Sequence, residues 1–531
     1  MYVGVFVLDF LQAICEDGTV YGPPRKHTMF LQHTTRMKNS ISYITKHRNV
    51  FILFATGTLV ALLYFLLAFF FGTHGPSYPV IDGEEDSAEY IYLAEHLLEG
   101  RGFTLSHAPP HIPESFRVPG YPFFVALILG VYPSPVLVVI VQCFLFGGIA
   151  GLVFLIGSQW HSTRAGYVAA AFSIVNPSLL FHTSIIASET LFIFLLLLAT
   201  YLWFDLHFGN RQKRVAFFVG TLIGVAILIR VIGILLPLAF ILISCIASYS
   251  VLRAGVQAWK RLLAIWFLFL CGTALIATPW LVRNIVVYNE ASFSQTGTIN
   301  MWYFYIPQII SDSRNIDVAQ ARAEFIPEHL LRGMERTNGL QFPLRQLDAH
   351  ATLQHEIHAY FAEHLPEYLW GHLLRSSTLI FVDSFRDTAI LFGVSTGNYN
   401  ILPREVVATL RSGKYISLPQ TMWSYVRERN ASALLSLTNF ALWVTFLLSS
   451  MLGAFALWRS IPRYKATTIV LYCLGIACYF AVLSGPLALP RFRLPIEPFV
   501  FILSAPFFLV AFDIIRARVS HKEPAILAER E

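Results

Sequence analysis

Long uncharged runs alternate with short polar connections along most of the chain, and the length of the runs sets the reading. Val50 to Phe71 carries no charged side chain over the roughly 20 residues that a helix needs to cross about 30 Å of hydrocarbon. Similar runs follow at Val136 to Gly157, Ala165 to Phe181, Thr190 to Phe204, Val215 to Ile229, Val231 to Leu252, Leu262 to Val282, Ala433 to Trp458, Ala466 to Leu489 and Leu494 to Phe512. They predict an all-α polytopic membrane protein with about ten spans. Tyr121 to Tyr132 is apolar as well, but it is short and bounded by Pro119, Pro122, Pro133 and Pro135. It reads as a surface-lying or re-entrant helix.

Charge supports that parity. With Tyr121 to Tyr132 not crossing, His161/Arg164, Arg211/Lys213/Arg214, Arg253/Lys260/Arg261, Arg459/Arg463/Lys465 and Arg516/Arg518/Lys522 all fall on one side, the cytoplasmic one by the positive-inside rule. The loop after the first span carries Asp82, Glu84, Glu85, Asp86, Glu89, Glu95, Glu99 and Glu114 against Arg101 and Arg117, and lies outside. The expected organisation is then a cytoplasmic tail over 1–49, a first membrane module over 50–282 with an outer loop at 72–118, an extracytoplasmic lobe over 283–432, C-terminal spans over 433–513 and a cytoplasmic tail over 514–531. Helical-looking stretches at Val318 to Glu335 and Leu353 to Arg375 make the lobe partly helical and resting on the membrane. Met37 makes an ordinary start, so the residues before it read as a disordered tail or a gene-model extension. No internal repeat is visible.

Composition removes the alternatives. Apolar residues make up 56% and charged ones 13% of the 531 residues, about half the charge of an average soluble chain. The six cysteines lie almost entirely in apolar runs, where they act as small hydrophobes, and form neither a disulfide nor a zinc framework. The net charge of +6 comes from short clusters between spans, which disfavours nucleic acid as a partner. The first apolar run is too long and too far along for a cleavable signal peptide.

The candidate chemistry converges on the outer face. Asp86 opens an amphipathic stretch through Tyr90, Leu93, Ala94, Leu97 and Leu98, where a helix N-terminus favours its carboxylate. Arg117 and Tyr121 follow, Ser188-Glu189 forms an outer turn, and Arg230, Arg283-Asn284, Arg491 and Arg493 sit at outer ends of helices. Crowded carboxylates raise one another's pKa and so favour a base near working pH, while arginine forks match phosphate oxygens. Arg230 and Arg283 also fit as snorkelling anchors, Glu189 as a helix cap, and Glu497 as a buried ionisable group needing a partner. His355-Glu356-Ile-His358 lacks the zinc-protease spacing and reads as surface helix. Trp302-Tyr-Phe-Tyr305 suits sugar stacking or an interface belt equally, and Asn430-Ala-Ser432 fits a glycosylation sequon.

Seven elements stand in a fixed order: Asp86-x3-Tyr90, Gly100-x-Gly102-Phe103, Arg117-x-Pro119-Gly120-Tyr121-Pro122, Ser188-Glu189, Leu228-Ile-Arg230, Pro279-Trp280-x2-Arg283-Asn284 and Arg491-x-Arg493-x-Pro495. Together they make the chain resemble the GT-C membrane glycosyltransferases that include the dolichyl-phosphate-mannose protein mannosyltransferases and the aminoarabinose lipid A transferases. The resemblance covers Val50 to Phe512. It implies an inverting glycosyltransferase in a bacterial inner membrane, moving a hexose or pentose from a polyprenyl-phosphate donor to a lipid, protein or glycan acceptor outside. Asp86 would be catalytic, with Glu189 orienting the acceptor or helping to hold a divalent cation, the one cofactor considered. Tyr90, Arg117, Tyr121, Arg230, Arg283, Asn284, Arg491, Arg493 and Glu497 would bind substrate. In many relatives an Asp-Glu pair stands at the catalytic position; here Glu85 precedes Asp86. A glycan ligase or polymerase using a pyrophosphate-linked donor, and a lipid or glycan flippase, are the competing readings, the latter weakened by nearly uncharged spans.

Overall fold

The structure, a computed structural model, describes residues 29–73, 85–106, 109, 111–209, 212–252, 256–327, 347–379, 385–393, 417–487 and 489–520. The first 28 residues and the Asp82 to Glu84 end of the acidic cluster lie outside them. Helices account for nearly all of the described chain, and extended backbone pairs only in the Thr104–Pro113 bridge among these residues. The helices used below are α1 (Met29–Phe71), α2 (Glu85–Leu98), α3 (Gly120–Leu129), α4 (Pro135–Trp160), α5 (Thr163–Ile174), α6 (Pro177–Ser184), α7 (Glu189–Phe208), α8 (Arg214–Ile229), α9 (Leu236–Leu252) and α10 (Val256–Tyr288). After them come α11 (Ile306–Arg314), α12 (Val318–Phe325), α13 (Leu347–Thr378), α14 (Arg386–Leu391), α15 (Leu418–Ser460), α16 (Arg463–Ser484) and α17 (Glu497–Ser520).

Eight helices among the described residues are long and apolar enough to cross a membrane, and the protein is an integral membrane protein. Two of the expected spans take another form. Ala165 to Phe181 is not one rod: α5 and α6 meet at 57°. The break has a local cause, because Pro177 has no N–H to continue α5 and the Asn176 side chain caps α6 by accepting from the Leu179 amide at 2.9 Å. The Asn-Pro pair is a turn signal legible in the sequence. Val215 to Ile229 forms α8, which at 16 residues is shorter than a full crossing helix. Tyr121 to Tyr132 yields only the ten residues of α3.

One large apolar core runs through the bundle. α8 packs along α10, α1 along α4, and α15 along α17, with α5 between α4 and α17. At one end of the bundle, Arg164 holds Asp513 through two hydrogen bonds of 3.1 and 2.6 Å, and Lys465 donates to the Gln159 carbonyl at 3.1 Å. The segments around Arg164, Lys465 and Asp513 thus gather there. The opposite end carries α2, α3, the turn before α7 and the short helix Pro490–Arg493.

Described residues between 299 and 368 form a second core. Trp302, Tyr305, Ile306, Ile309 and Ile310 pack against Leu353, Ile357 and Tyr368 of α13, and Arg375 pairs with Asp312. Trp302 is fully buried and Tyr305 nearly so, which removes both side chains from an open stacking platform or a lipid-facing belt. His355 and His358 are exposed on α13, as a surface helix requires. The lobe ends without a break, because α15 runs unbroken through position 432 into its span. Asn430 lies inside that helix.

Candidate functional site

The site begins with α2, whose apolar side buries Tyr90, Leu93 and Ala94. Ser87 donates to the Ile186 carbonyl at 2.9 Å and fixes the first turn of α2 against the turn before α7. Asp86 occupies that first turn, where the helix dipole favours a carboxylate. Beyond α2 the chain must reverse tightly, and Gly100 and Gly102 do so at φ +74° and +86°, a region costly for other residues. Phe103 then meets Trp280 edge-to-face at 5.2 Å. Two of the sequence elements are therefore one contact.

Arg283 stacks on Trp280 and Tyr288 at 4.6 and 5.0 Å and donates to the Glu114 carbonyl at 3.0 Å and to Asn284 Oδ1 at 2.8 Å. Asn284 donates to the carbonyls of Ser292 and Phe293. This pair clamps the segment around Glu114 to α10; none of its described hydrogen bonds reaches Asp86. Glu114 in turn accepts from the Phe116 and Arg117 amides at 2.6 and 3.2 Å, presenting Arg117 to α2.

Arg117 is the hinge of the cluster. It pairs with Asp86 Oδ1 through Nη2 and with Glu89 Oε2 through Nε at 2.6 Å, with the Tyr90 and Phe116 rings within 5.2 and 4.9 Å. Arg491 donates to the other Asp86 oxygen at 2.7 Å. Each oxygen of Asp86 therefore faces an arginine. Burial would raise its carboxyl, but Arg117 and Arg491 outweigh it and hold the group well below the usual carboxylate range. This corrects the expectation from crowded acids: the charges beside Asp86 include two cations, and they lower its pKa.

A second group adjoins the first. Tyr90 donates to Ser188 Oγ at 3.5 Å, the same atom accepts from Arg230 Nη1 at 3.0 Å, and Arg230 pairs with Glu189 at 2.5 Å. Tyr90 also meets Tyr121 edge-on at 4.7 Å, and Tyr121 donates to Gln142, whose amide reaches the carbonyls of Thr183 and Ile185 at 3.0 and 2.6 Å. Asp86, Tyr90, Arg117, Tyr121, Glu189, Arg230 and Arg491 are thus brought into one linked cluster. Since Asp86 and Glu189 already carry arginines, they do not fit as a ready pair of cation ligands; among the described residues no group of three or more His, Cys, Asp or Glu is placed to hold a metal ion.

Arg493 and Glu497 go elsewhere. In the helical turn Pro490–Arg493 alternate residues point to opposite sides, so Arg491 faces Asp86 while Arg493 turns inward. Arg493 donates to Glu497 at 2.9 Å and lies 3.8 Å over the Trp443 ring, with side-chain exposures of 2% and 0% for the pair. Two contributors stand outside the expected site residues. Glu89 lies three residues after Asp86 and so on the same helix face, and Gln142 is a lone amide inside an apolar span; both signals were readable.

Gly120 shows how close the elements sit. A Cβ there would fall 2.6 Å from the Leu228 carbonyl oxygen, two residues before Arg230. Gly120→Ala should therefore force α3 and the end of α8 apart, at about 1–3 kcal/mol of overpacking cost. We expect a lower thermal midpoint together with loss of function. An unchanged midpoint would show that these elements do not pack so tightly.

No family model matches the chain, and no curated protein matches it. Among solved structures, it is similar to the oligosaccharyltransferase of Archaeoglobus fulgidus in complex with zinc and sulfate, with 13% identity and a TM-score of 0.47 over 90% of this chain and 51% of that one. It is similar to AglB of the same organism in complex with an inhibitory peptide and a dolichol-phosphate, with 13% identity and a TM-score of 0.46 over 90% and 52% of the two chains. ArnT from Cupriavidus metallidurans bound to undecaprenyl phosphate aligns with 15% identity and a TM-score of 0.35 over 84% and 77%. The chain spans about half the length of the archaeal proteins.

Proposed function

We propose that the protein is a GT-C-like, inverting glycosyltransferase that takes a hexose or pentose from a polyprenyl-phosphate donor at the extracytoplasmic face of a bacterial inner membrane. The observation that carries this reading is the Asp86 carboxylate held between Arg117 and Arg491 at one end of a membrane bundle. Interfacial sugar transfer from a lipid phosphate needs that combination: a carboxylate for the acceptor proton, cations for the departing phosphate, and a hydrocarbon route for the lipid tail.

The two arginines are not equivalent. Arg117 is fixed by Glu89 and by two rings, and its side chain is 14% exposed. Arg491 is 34% exposed and comes from the short connection before α17. A donor phosphate near this cluster competes with Asp86 for Arg491. When Arg491 turns to the phosphate, one carboxylate oxygen of Asp86 is uncovered and its basicity rises. The acceptor hydroxyl then gives its proton to Asp86 as its oxygen bonds the anomeric carbon, the bond from that carbon to the phosphate oxygen breaks, and polyprenyl phosphate leaves with the electron pair. Arg230 beside Glu189 supplies a further cation, and Glu189 orients the acceptor. With Arg283 and Arg493 engaged structurally, the remaining arginines suit one phosphate, which favours a monophosphate donor over the pyrophosphate donor of a ligase or polymerase.

The test is transfer by the purified protein from a panel of polyprenyl-phosphate sugars, paired with mass spectrometry of envelope glycolipids and glycoproteins from cells lacking it. Transfer from at least one donor is expected; absence of transfer with an unchanged envelope overturns the reading. Arg491→Lys keeps the charge but loses the planar fork, so donor KM should rise while Arg230 and Glu189 remain in place. An unchanged KM would remove Arg491 from the phosphate site.

The side is tested separately. In a background without reactive thiols, Glu99→Cys, exposed just past the end of α2, should react with an impermeant thiol reagent in intact cells, and Thr163→Cys at the basic end should not. The reverse pattern would turn the protein over.

A further inference from the structure

α13 changes character along its length. Up to Glu363 its exposed face carries His355, His358 and Glu363, as a helix in water would. From Leu365 on, the exposed apolar positions are Leu365 at 42%, Leu369 at 58%, Trp370 at 68%, Leu373 at 59% and Leu374 at 41%, an apolar stripe at helical spacing. The other face is fully committed to protein: Tyr368 is buried in the lobe core, Gly371 lies against Ile309, and Arg375 pairs with Asp312. The stripe therefore points away from the lobe, and an apolar patch of this kind marks an interaction surface.

Its position identifies the occupant. His372, on the side of α13 next to the stripe, is hydrogen-bonded at 2.8 Å to the carbonyl of Val482, two residues before the end of α16. Val482 is itself 49% exposed on a span of the membrane. Tyr305 of the lobe core rests on Gly485 just beyond. The stripe thus lies beside the exposed apolar surface of α16, near the end of that span.

We propose that residues 369–373 of α13 are immersed in the lipid interface, with the helix entering from water near Pro366 and Trp370 at headgroup level. The lobe is then fastened to the bilayer directly as well as through the spans. An amphipathic helix with a tryptophan on its apolar side has the composition for this placement.

The experiment places the photoreactive residue p-benzoylphenylalanine at 369, 373 and, as the aqueous reference, 363 in the full-length protein in native membranes. After illumination, intact-mass analysis should show phospholipid adducts at 369 and 373 and none at 363. Adducts to another part of the same chain or to a second copy at 369 and 373 would overturn the proposal, as would equal lipid labelling at all three positions. As a measurement independent of the label, Leu369→Gln/Leu373→Gln should raise amide exchange in 365–375 of the protein in lipid nanodiscs. Unchanged exchange would count against immersion.

Discussion

Asp86→Asn should abolish transfer by about 10² to 10⁴-fold, the usual contribution of a positioned base, while the protein still inserts and binds its lipid donor. The structure explains why folding should survive. Arg117 keeps Glu89 as its partner, Ser87 keeps the Ile186 carbonyl, and the packing of Tyr90 against Tyr121 is untouched. Asn retains shape and hydrogen bonding but cannot take the acceptor proton. Glu95→Gln is the matched control, since Glu95 is exposed on the same helix and has no place in the cluster. An Asp86→Asn enzyme as active as Glu95→Gln would remove Asp86 from the chemistry.

The depressed pKa of Asp86 gives the same experiment a pH signature. A carboxyl held low by two arginines stays ionised as pH falls through the ordinary carboxylate range near 3.9, so kcat/KM should show no acid limb there. The matching stability is present above that unfolded value and is lost only as pH falls through the lower folded one. Arg491→Gln removes one of the opposing cations and should move the acid limb upward. A limb that fails to move would mean that Arg491 does not set the ionisation of Asp86.

The sequence made the membrane class and most spans legible, because an uncharged run of about 20 residues has few other uses in a chain this poor in charge. Bends were less visible: α5 and α6 read as one apolar run until the weight of Asn176-Pro177 is given its due. The ordered motifs fall close together in space, and their contacts show why. Phe103 touches Trp280, Gly120 abuts Leu228, and Arg117 reaches Asp86. What motif order could not provide was direction. Arg283, Arg491 and Arg493 look equivalent as arginines at helix ends, yet only Arg491 faces the carboxylate, because helical geometry rather than spacing along the chain decides which way a side chain turns. Crowded acids misdirect the pKa of Asp86 for a related reason, since Arg117 reaches it from 31 residues and Arg491 from 405 residues along the chain.

That distinction between Arg491 and Arg493 leads to the largest stability effect. Arg493→Met should destabilise the protein by about 3–5 kcal/mol, because it leaves the Glu497 carboxylate buried without its cation. The cost comes mainly from the stranded charge, so removing both members should recover it: Arg493→Met/Glu497→Leu is expected near or above the parent midpoint in detergent. Trp443 tightens the test, because its ring under the guanidinium can accept the methionine side chain in place of the cation. A structural pair also predicts that the double variant keeps its transfer activity, since its groups lie inside the protein and face each other. If the double variant is stable and inactive, Arg493 acts on the substrate after all, and the inward turn of Pro490–Arg493 must reverse during the reaction cycle. If neither single nor double variant shifts the midpoint, the pair contributes no stability and its burial must be offset by contacts other than the one between the two charges.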